Sequence, residues 1–319
     1  MVEVPVKLYL DKVLKSAREA VRPFSLMTGP ARDKALRGMA TAIAEAEEDI
    51  LAANEKDVDA VGKSMTGYEN RERVRDAVAR VRMTADDVKA MVDRLHRIAD
   101  LPDPLGEVLG RHDEPNGLQV SRVRAPSGVI GIVSELAPLE TIDALALCLK
   151  SGNVCVFRGS PDWTLTQQTI AACLSKAAAD AGVPLGACTI IERPEKEAAL
   201  ELIKSGKALD AIIPRGGAGL RKVVQEQAKM PILCHDGGIT HVYIDGDVDI
   251  PLAQNIVVNS KVQQPLAANA LDTLLVHQGI ARPLLSALIL RLLDEFKIDV
   301  LGCPKTVALM GQMLMTGHK

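Results

Sequence analysis

Two short stretches carry the residue types that hold phosphates. Pro214-Arg215-Gly216-Gly217-Ala218-Gly219-Leu220 follows a β-branched run and opens a helical one. Glycines let a backbone approach an anion closely, and a helix start offers unpaired N–H groups and a positive dipole end. The stretch is neither G-x-G-x-x-G nor a Walker loop, so a phosphate cradle and a plain tight βα turn both stay open. Arg158-Gly159-Ser160, at the end of another apolar run, is the second stretch. If both runs end on one edge of a sheet, Arg158, Gly159, Ser160, Arg215, Gly216, Gly217 and Gly219 face one anionic cofactor.

Nucleophilic chemistry needs an ionised thiol, so each cysteine matters. Cys148 and Cys173 sit on apolar helical faces, and Cys155 and Cys188 lie within buried-strand patterns. These four read as core, since free cysteine packs as a small hydrophobe. Cys234 and Cys303 lie near turns, neither beside an obvious base. No C-x-x-C is present, and widely spaced cysteines in such a chain read as reduced thiols of a cytosolic compartment. His235 and His241 bracket Asp236-Gly237-Gly238, but a turn and a strand do not make them converge, and no metal site is assigned.

The elements that position these residues follow from periodicity. The first hundred residues are helical in pattern, with Leu10, Val13, Leu14, Ala17 and Val21 on one face. Thr84-Ala85-Asp86-Asp87 predicts a capped helix start, followed by the stripe Val88, Met91, Val92 and Leu95. Glu107 to Arg124 alternates around Pro115-Asn116-Gly117 and predicts a two-stranded arm. From Gly128, β-branched runs at 128–133, 153–158, 188–191, 211–214 and 241–244 alternate with helical stretches at 164–181 and 195–205. That alternation predicts an α/β fold, a doubly wound parallel sheet with ligands outside the carboxyl ends of its strands.

A second unit is expected from 251. It holds a helix at 252–262, a strand at 271–277, an apolar helix at 283–296 and a strand-like 298–301. The expected division is N-terminal helices over 1–106, a hairpin over 107–124, the Rossmann-like domain over 125–250 and a partial domain over 251–319.

Composition bounds the function. The 319 residues carry 38 Lys and Arg against 41 Asp and Glu, a net charge of −3. That balance argues against a protein built to hold nucleic acid or an anionic membrane. Three Phe, three Tyr and one Trp leave little for stacking bases. The first residues carry charge early and contain no uninterrupted apolar segment of signal-peptide type, and the strongest candidate for a membrane span, 284–293, is broken by Arg291. A cytoplasmic protein without a membrane span is expected.

Several segments then become recognisable. Pro126-Ser127-Gly128-Val129-Ile130-Gly131-Ile132, Ala146-Leu147-Cys148-Leu149-Lys150-Ser151-Gly152-Asn153 and the stretch from Ile212 to Leu220 resemble γ-glutamyl phosphate reductase. His241-Val242-Tyr243-Ile244-Asp245, Ile256 to Lys261 and Asn269 to Val276 resemble it as well, as do the N-terminal helices through Asn54-Glu55-Lys56-Asp57. This family, also called glutamate-5-semialdehyde dehydrogenase, belongs to the aldehyde dehydrogenase superfamily. The resemblance implies a Rossmann-like cofactor domain, a catalytic domain and a hairpin arm used in oligomerisation. It implies NADPH-dependent reduction of L-glutamyl 5-phosphate in proline biosynthesis. In that reaction a Cys thiolate displaces phosphate, and hydride converts the thioester to the semialdehyde.

The resemblance breaks at the chemistry. The family's nucleophilic Cys precedes the Asn matched by Asn269, and here that position is Ala268. The family's Arg-Pro-Asn after the first strand is Ala137-Pro138-Leu139, and its Gln-Arg-Pro is Gln263-Gln264-Pro265. The family's chains also continue well beyond Lys319, so an incomplete catalytic domain is implied. Losses at Ala137, Leu139, Gln264 and Ala268 predict a degenerate, non-catalytic relative that binds NADP(H) weakly or binds a partner. The partner expected is a second copy, a complete reductase subunit or glutamate 5-kinase. The alternative is an active NADPH-dependent reductase with an altered mechanism or substrate. Leu284, Leu285, Leu288, Leu292 and Phe296 are expected to form an uncovered apolar face at an interface.

Overall fold

The computed structural model describes residues 4–66, 71–234, 238–265, 267 and 269–315. The chain divides into two compact units, Met1–Cys234 and His235–Lys319.

The first unit begins with helices α1 (Val6–Ser25), α2 (Gly29–Glu45), α3 (Glu47–Ser64), α4 (Arg71–Val81) and α5 (Ala85–Asp100). The α1 stripe is as its spacing requires: Val6, Leu10, Leu14, Ala17, Ala20 and Phe24 are buried. Thr84 caps α5 with a reciprocal box, its backbone N–H donating to Asp87 at 2.8 Å while its hydroxyl accepts from the Asp87 N–H. Strands β1 (Val108–Asp113) and β2 (Gln119–Val123) form the expected antiparallel arm, exposed along its whole length.

The sheet consists of β3 (Val129–Ser134), β4 (Val154–Arg158), β5 (Cys188–Ile190) and β6 (Ala211–Arg215), in the order β5-β4-β3-β6 and parallel throughout. Every residue of β3 and β4 is buried, which explains their unbroken apolar runs: strands covered on both faces do not alternate. Helices α6 (Pro138–Lys150), α7 (Thr164–Asp180), α8 (Lys196–Lys204) and α9 (Ala218–Gln227) connect or follow them. Helices α2 and α5 pack against α6, and α2 also against α7, while α1 lies against α8 and strands β3 to β5. The order reverses between β3 and β6, so the topological switch point lies at their carboxyl ends.

The second unit contains β7 (His241–Ile244), α10 (Ile250–Val262), β8 (Thr273–Val276), α11 (Ala281–Asp294) and α12 (Pro304–Met315). Three expectations change here. Periodicity groups 241–244 with the first sheet, but β7 pairs in parallel with β8 in a separate two-stranded sheet. Alternation identifies a strand but not its neighbour. Residues 298–301 form no strand: Lys297 adopts φ 54°, and the Ile298 N–H donates back to the Leu292 carbonyl at 2.9 Å, so this run is the tail of α11. The α11 face is also not free. Leu284, Leu285, Leu288 and Leu292 are buried, and three of them join Ile244, Val257, Val258 and Leu271 in this unit's own core. Among the described residues no helix is long and apolar enough to cross a membrane.

Candidate functional site

The carboxyl edge of the four-stranded sheet brings the two glycine stretches to the same side of the molecule. They are not adjacent: β3 lies between β4, which ends at Arg158, and β6, which ends at Arg215.

At the end of β4, Arg158 is buried. Its Nη1 donates to the Gly159 carbonyl at 2.6 Å, and its Nη2 to the Pro194 carbonyl at 2.7 Å and the Glu195 carbonyl at 3.5 Å. Burial lowers the Arg158 pKa, against the raising effect of the Glu135 and Glu195 carboxylates. The guanidinium thus ties the β4 loop to the loop before α8. Ser160 is buried too, and its hydroxyl accepts from the Asp162 N–H at 3.3 Å. A crevice here is lined by Gly159, Ser160, Gln167, Ile190, Ile191 and Pro194. Gly159 permits a close approach, since a Cβ there would stand 2.1 Å from Gln167 Oε1. Gln167 is 5% exposed, and its Nε2, like Arg158 Nε, is buried without a hydrogen-bond partner.

At the end of β6, Arg215 projects outward and pairs with Glu140 at 2.5 Å. Its carbonyl accepts from the Glu135 N–H at 2.8 Å, joining the ends of β3 and β6. Gly217 caps α9, and its N–H donates to Glu135 Oε2 at 3.0 Å. A Cβ at Gly216 would stand 2.5 Å from Glu135 Oε2, the tip of an exposed side chain. Around Gly219 there is open space. Glu135 was not among the sequence candidates, because an acid just after a strand reads as an ordinary loop residue. A possible signal was its place at the end of the strand flanked by both glycine stretches.

The backbone of this turn suits a phosphate, but its charge does not. The Gly217 amide already holds a carboxylate while the three amides after it have no intrahelical partner, Arg215 is paired, and the terminal nitrogens of Arg158 are spent on carbonyls. A dinucleotide phosphate would meet this turn beside, or in place of, the Glu135 carboxylate.

The remaining candidate positions divide between the units. Ala137 is the exposed N-cap of α6 and makes no side-chain cap, and Leu139 in the first turn packs against the large core. Thr141, one turn on, is fully buried with an unpartnered hydroxyl. In the second unit Gln264 is exposed after α10, with its carbonyl accepting from the Ala267 N–H at 3.0 Å, and Asn269 is exposed in the following turn. Ala268 lies outside the described residues, as does His235.

Two cysteines of the first unit are disfavoured as replacement nucleophiles. Cys188 is pushed up to about 12 by burial and then by Cys148, and Cys155 is raised by its hydrogen bond with Cys148 and by burial. Cys303, exposed before α12, moves the other way because Thr306 hydrogen-bonds to its sulfur. Sequence reasoning also missed the use of Asn54 and Asp57. Asn54 donates to the Val81 carbonyl at 3.0 Å and accepts from the Met83 N–H, while Asp57 accepts from the Leu165 and Thr166 N–H groups at the start of α7.

Residues 7–299 match the aldehyde dehydrogenase family. The γ-glutamyl phosphate reductase of Moorella thermoacetica is 39% identical over 294 residues, covering 92% of this chain and 68% of that protein. The chain belongs to the γ-glutamyl phosphate reductase branch of the aldehyde dehydrogenase family. The Heliobacterium modesticaldum γ-glutamyl phosphate reductase is 36% identical over 296 residues, covering 92% of this chain and 69% of that protein. Among solved structures, the γ-glutamyl phosphate reductase of Thermotoga maritima superposes with a TM-score of 0.84 at 30% identity, covering 95% of this chain and 71% of that one. A betaine aldehyde dehydrogenase of Staphylococcus aureus, in complex with NAD+, shares the fold at a TM-score of 0.64 and 21% identity, over 90% of this chain and 54% of that one. The fold is therefore the α/β aldehyde dehydrogenase type expected from the segments.

Proposed function

We propose that this chain is a γ-glutamyl phosphate reductase-like protein that does not perform the family reaction and acts through a partner. Ala268 carries the reading, because a methyl group at the nucleophile position cannot form the thioester that the two-step chemistry requires. Ala137, Leu139 and Gln264 support it, each apolar or uncharged where the family has Arg or Asn. The partner is a second copy or a complete reductase subunit, and glutamate 5-kinase is the next to test. Affinity for NADP(H) is weak, since Glu135 already takes the Gly217 N–H and Arg215 is paired with Glu140. A cytoplasmic setting goes with this reading, because widely spaced, unpaired cysteines suit a reducing compartment.

The test is NADPH formation from glutamate 5-semialdehyde, phosphate and NADP+ by the purified chain. We expect none, and none from Ala268→Cys alone. Loss of a single oxyanion donor, as at Leu139, costs about 10²–10³ in rate in other enzymes. Losses that act as a unit are not restored one at a time. Family-like turnover from Ala268→Cys alone contradicts the degenerate site. Turnover by the unmodified chain that is abolished by Cys303→Ser establishes the alternative, an active reductase with an altered mechanism.

A further inference from the structure

We infer that the open side of strand β5 is a docking groove for one extended segment of a partner protein, apolar in sequence and bearing a lysine or arginine. Strand β5 ends the order β5-β4-β3-β6, so one of its sides has no strand beside it. On the paired side, the Ala187 carbonyl accepts from the Cys155 N–H at 2.9 Å, and the Ile191 N–H donates to the Phe157 carbonyl at 2.8 Å. Backbone groups alternate along a strand, so Ala187, Thr189 and Ile191 face β4 while Cys188 and Ile190 turn theirs outward. Among the described residues, none hydrogen-bonds to the backbone N–H or carbonyl of Cys188 or Ile190 on that side. Strand β6, at the far end of the sheet, is covered instead: the Ile212 N–H donates to the Pro231 carbonyl, and its own carbonyl accepts from Leu233. An unpaired strand side is a template on which a further strand can add.

The outward side is reachable and already shaped. A recess of about 400 Å³ lies along it, within the size range of ligand sites. Ala171, Ala172, Ala178 and Ala179 of α7 line one wall, so no long side chain of that wall shields the strand. Helix α1 is held against β5 at both ends. The Glu192 N–H donates to the Tyr9 hydroxyl at 3.3 Å, and Gly186, at φ 89°, lies so close that a Cβ would stand 2.6 Å from the Ser16 carbonyl oxygen. The groove is thus formed before a partner arrives, which spares the cost of ordering it on binding. Of the described residues that line it, Glu192 alone is charged, and it is exposed. A segment that complements this lining has apolar residues along the alanines and a cation at the carboxyl end of β5. The volume admits a single strand rather than a folded domain, which decides for an extended segment over a second copy of this chain. The inference goes beyond the loss of the family reaction and holds whether or not the chain turns over a substrate.

The probe is a hexapeptide capped at both ends, Lys-Val-Thr-Val-Thr-Lys, titrated into the isotope-labelled full chain and followed by amide NMR shifts. Its terminal lysines allow either strand direction. We expect saturable shifts at the Cys188 and Ile190 amides, with a dissociation constant on the order of 1 mM or tighter. Methylating the two central backbone nitrogens of the peptide blocks pairing in either register and is expected to weaken binding about tenfold. Glu192→Gln is expected to weaken it about threefold, the scale of an exposed charge pair. Ser175→Trp, on α7 beside the recess, is expected to abolish binding; if circular dichroism shows it unfolded, Ala179→Trp takes its place. No saturable shift at Cys188 and Ile190, or equal binding of the methylated peptide, overturns the inference, and neither needs a variant. Equal binding by a folded tryptophan variant overturns it as well. Unchanged affinity in Glu192→Gln overturns the choice of a cationic segment. Self-association of the chain that the tryptophan variant abolishes, without peptide binding, makes the groove an interface between copies and overturns the extended segment.

Discussion

The two loops on the carboxyl edge of the sheet both open with Arg-Gly and put the arginine to opposite uses. Arg158 ends β4, turns inward and satisfies the carbonyls of Gly159, Pro194 and Glu195. Arg215 ends β6, points outward and meets Glu140 while half exposed. One guanidinium is part of the fold and the other decorates it. The difference arises from depth: β4 is an inner strand, whereas β6 ends the four-strand order, beyond which lies the single bridge from Ile212 to Ile232. Residue type names what a side chain can bind, and strand position decides whether anything is left of it to bind a ligand.

The largest expected effect tests the buried arginine. Arg158→Ala removes the donors to one buried and two part-buried carbonyls and leaves a gap beside β4, so the folded state should lose about 2–4 kcal/mol. Urea unfolding followed by circular dichroism measures it as a fall in midpoint at unchanged slope. A loss below about 1 kcal/mol, comparable to that of a surface ion pair, would break the comparison and return Arg158 to the ligand-binding candidates.

How far the sequence could be read follows the same line. Strands β3 and β4 were legible because burial on both faces leaves apolar runs, and α5 because its cap is local, spanning Thr84 to Asp87. The role of Arg158 was not legible, because Pro194 and Glu195 come from a loop more than thirty residues on, joined to it only by the sheet. Glu135 was missed for the same reason: its partner Gly217 is distant in sequence and close only across the β3–β6 pairing. The helix pattern alone makes the α11 face look free, because its cover comes from β7, α10 and the residues before β8. Local periodicity gives elements; partnerships between distant residues come from topology.

A middle-sized effect sharpens the comparison at the opposite edge of the sheet. Asp210, before β6, pairs with Arg18 at 2.6 Å and accepts from the Val129 N–H at 2.7 Å. Burial alone would raise its pKa, but the bonds from Arg18 and Val129 prevail and hold it below the usual carboxylate value. A lowered folded pKa contributes stability above the unfolded value, and that contribution is lost as pH falls through the folded pKa. Asp210→Asn should therefore cost about 1 kcal/mol at neutral pH, reduced by salt because the pair is partly exposed. The gap between wild type and variant should close in urea titrations as pH falls below the usual carboxylate range. A gap that widens in acid would have the wrong sign and would remove Asp210 from the acid-labile contacts.

The smallest effect is the one the outward arginine predicts. Arg215 and Glu140 have side chains 48% and 34% exposed, so their attraction is screened and is offset by the entropy of holding two long side chains. Arg215→Ala should cost about 0–1 kcal/mol, because the sheet uses the backbone of this residue rather than its guanidinium. That backbone pairs with Ser134 and accepts from the Glu135 N–H, and alanine keeps both contacts. The substitution should also leave the Gly217–Glu135 bond in place, since neither atom belongs to Arg215. Urea midpoints of Arg158→Ala and Arg215→Ala, measured side by side, then give the difference between the loops directly. If the two variants fall together by several kcal/mol, depth in the sheet does not divide them, and Arg215 must hold the β3–β6 edge through its side chain after all.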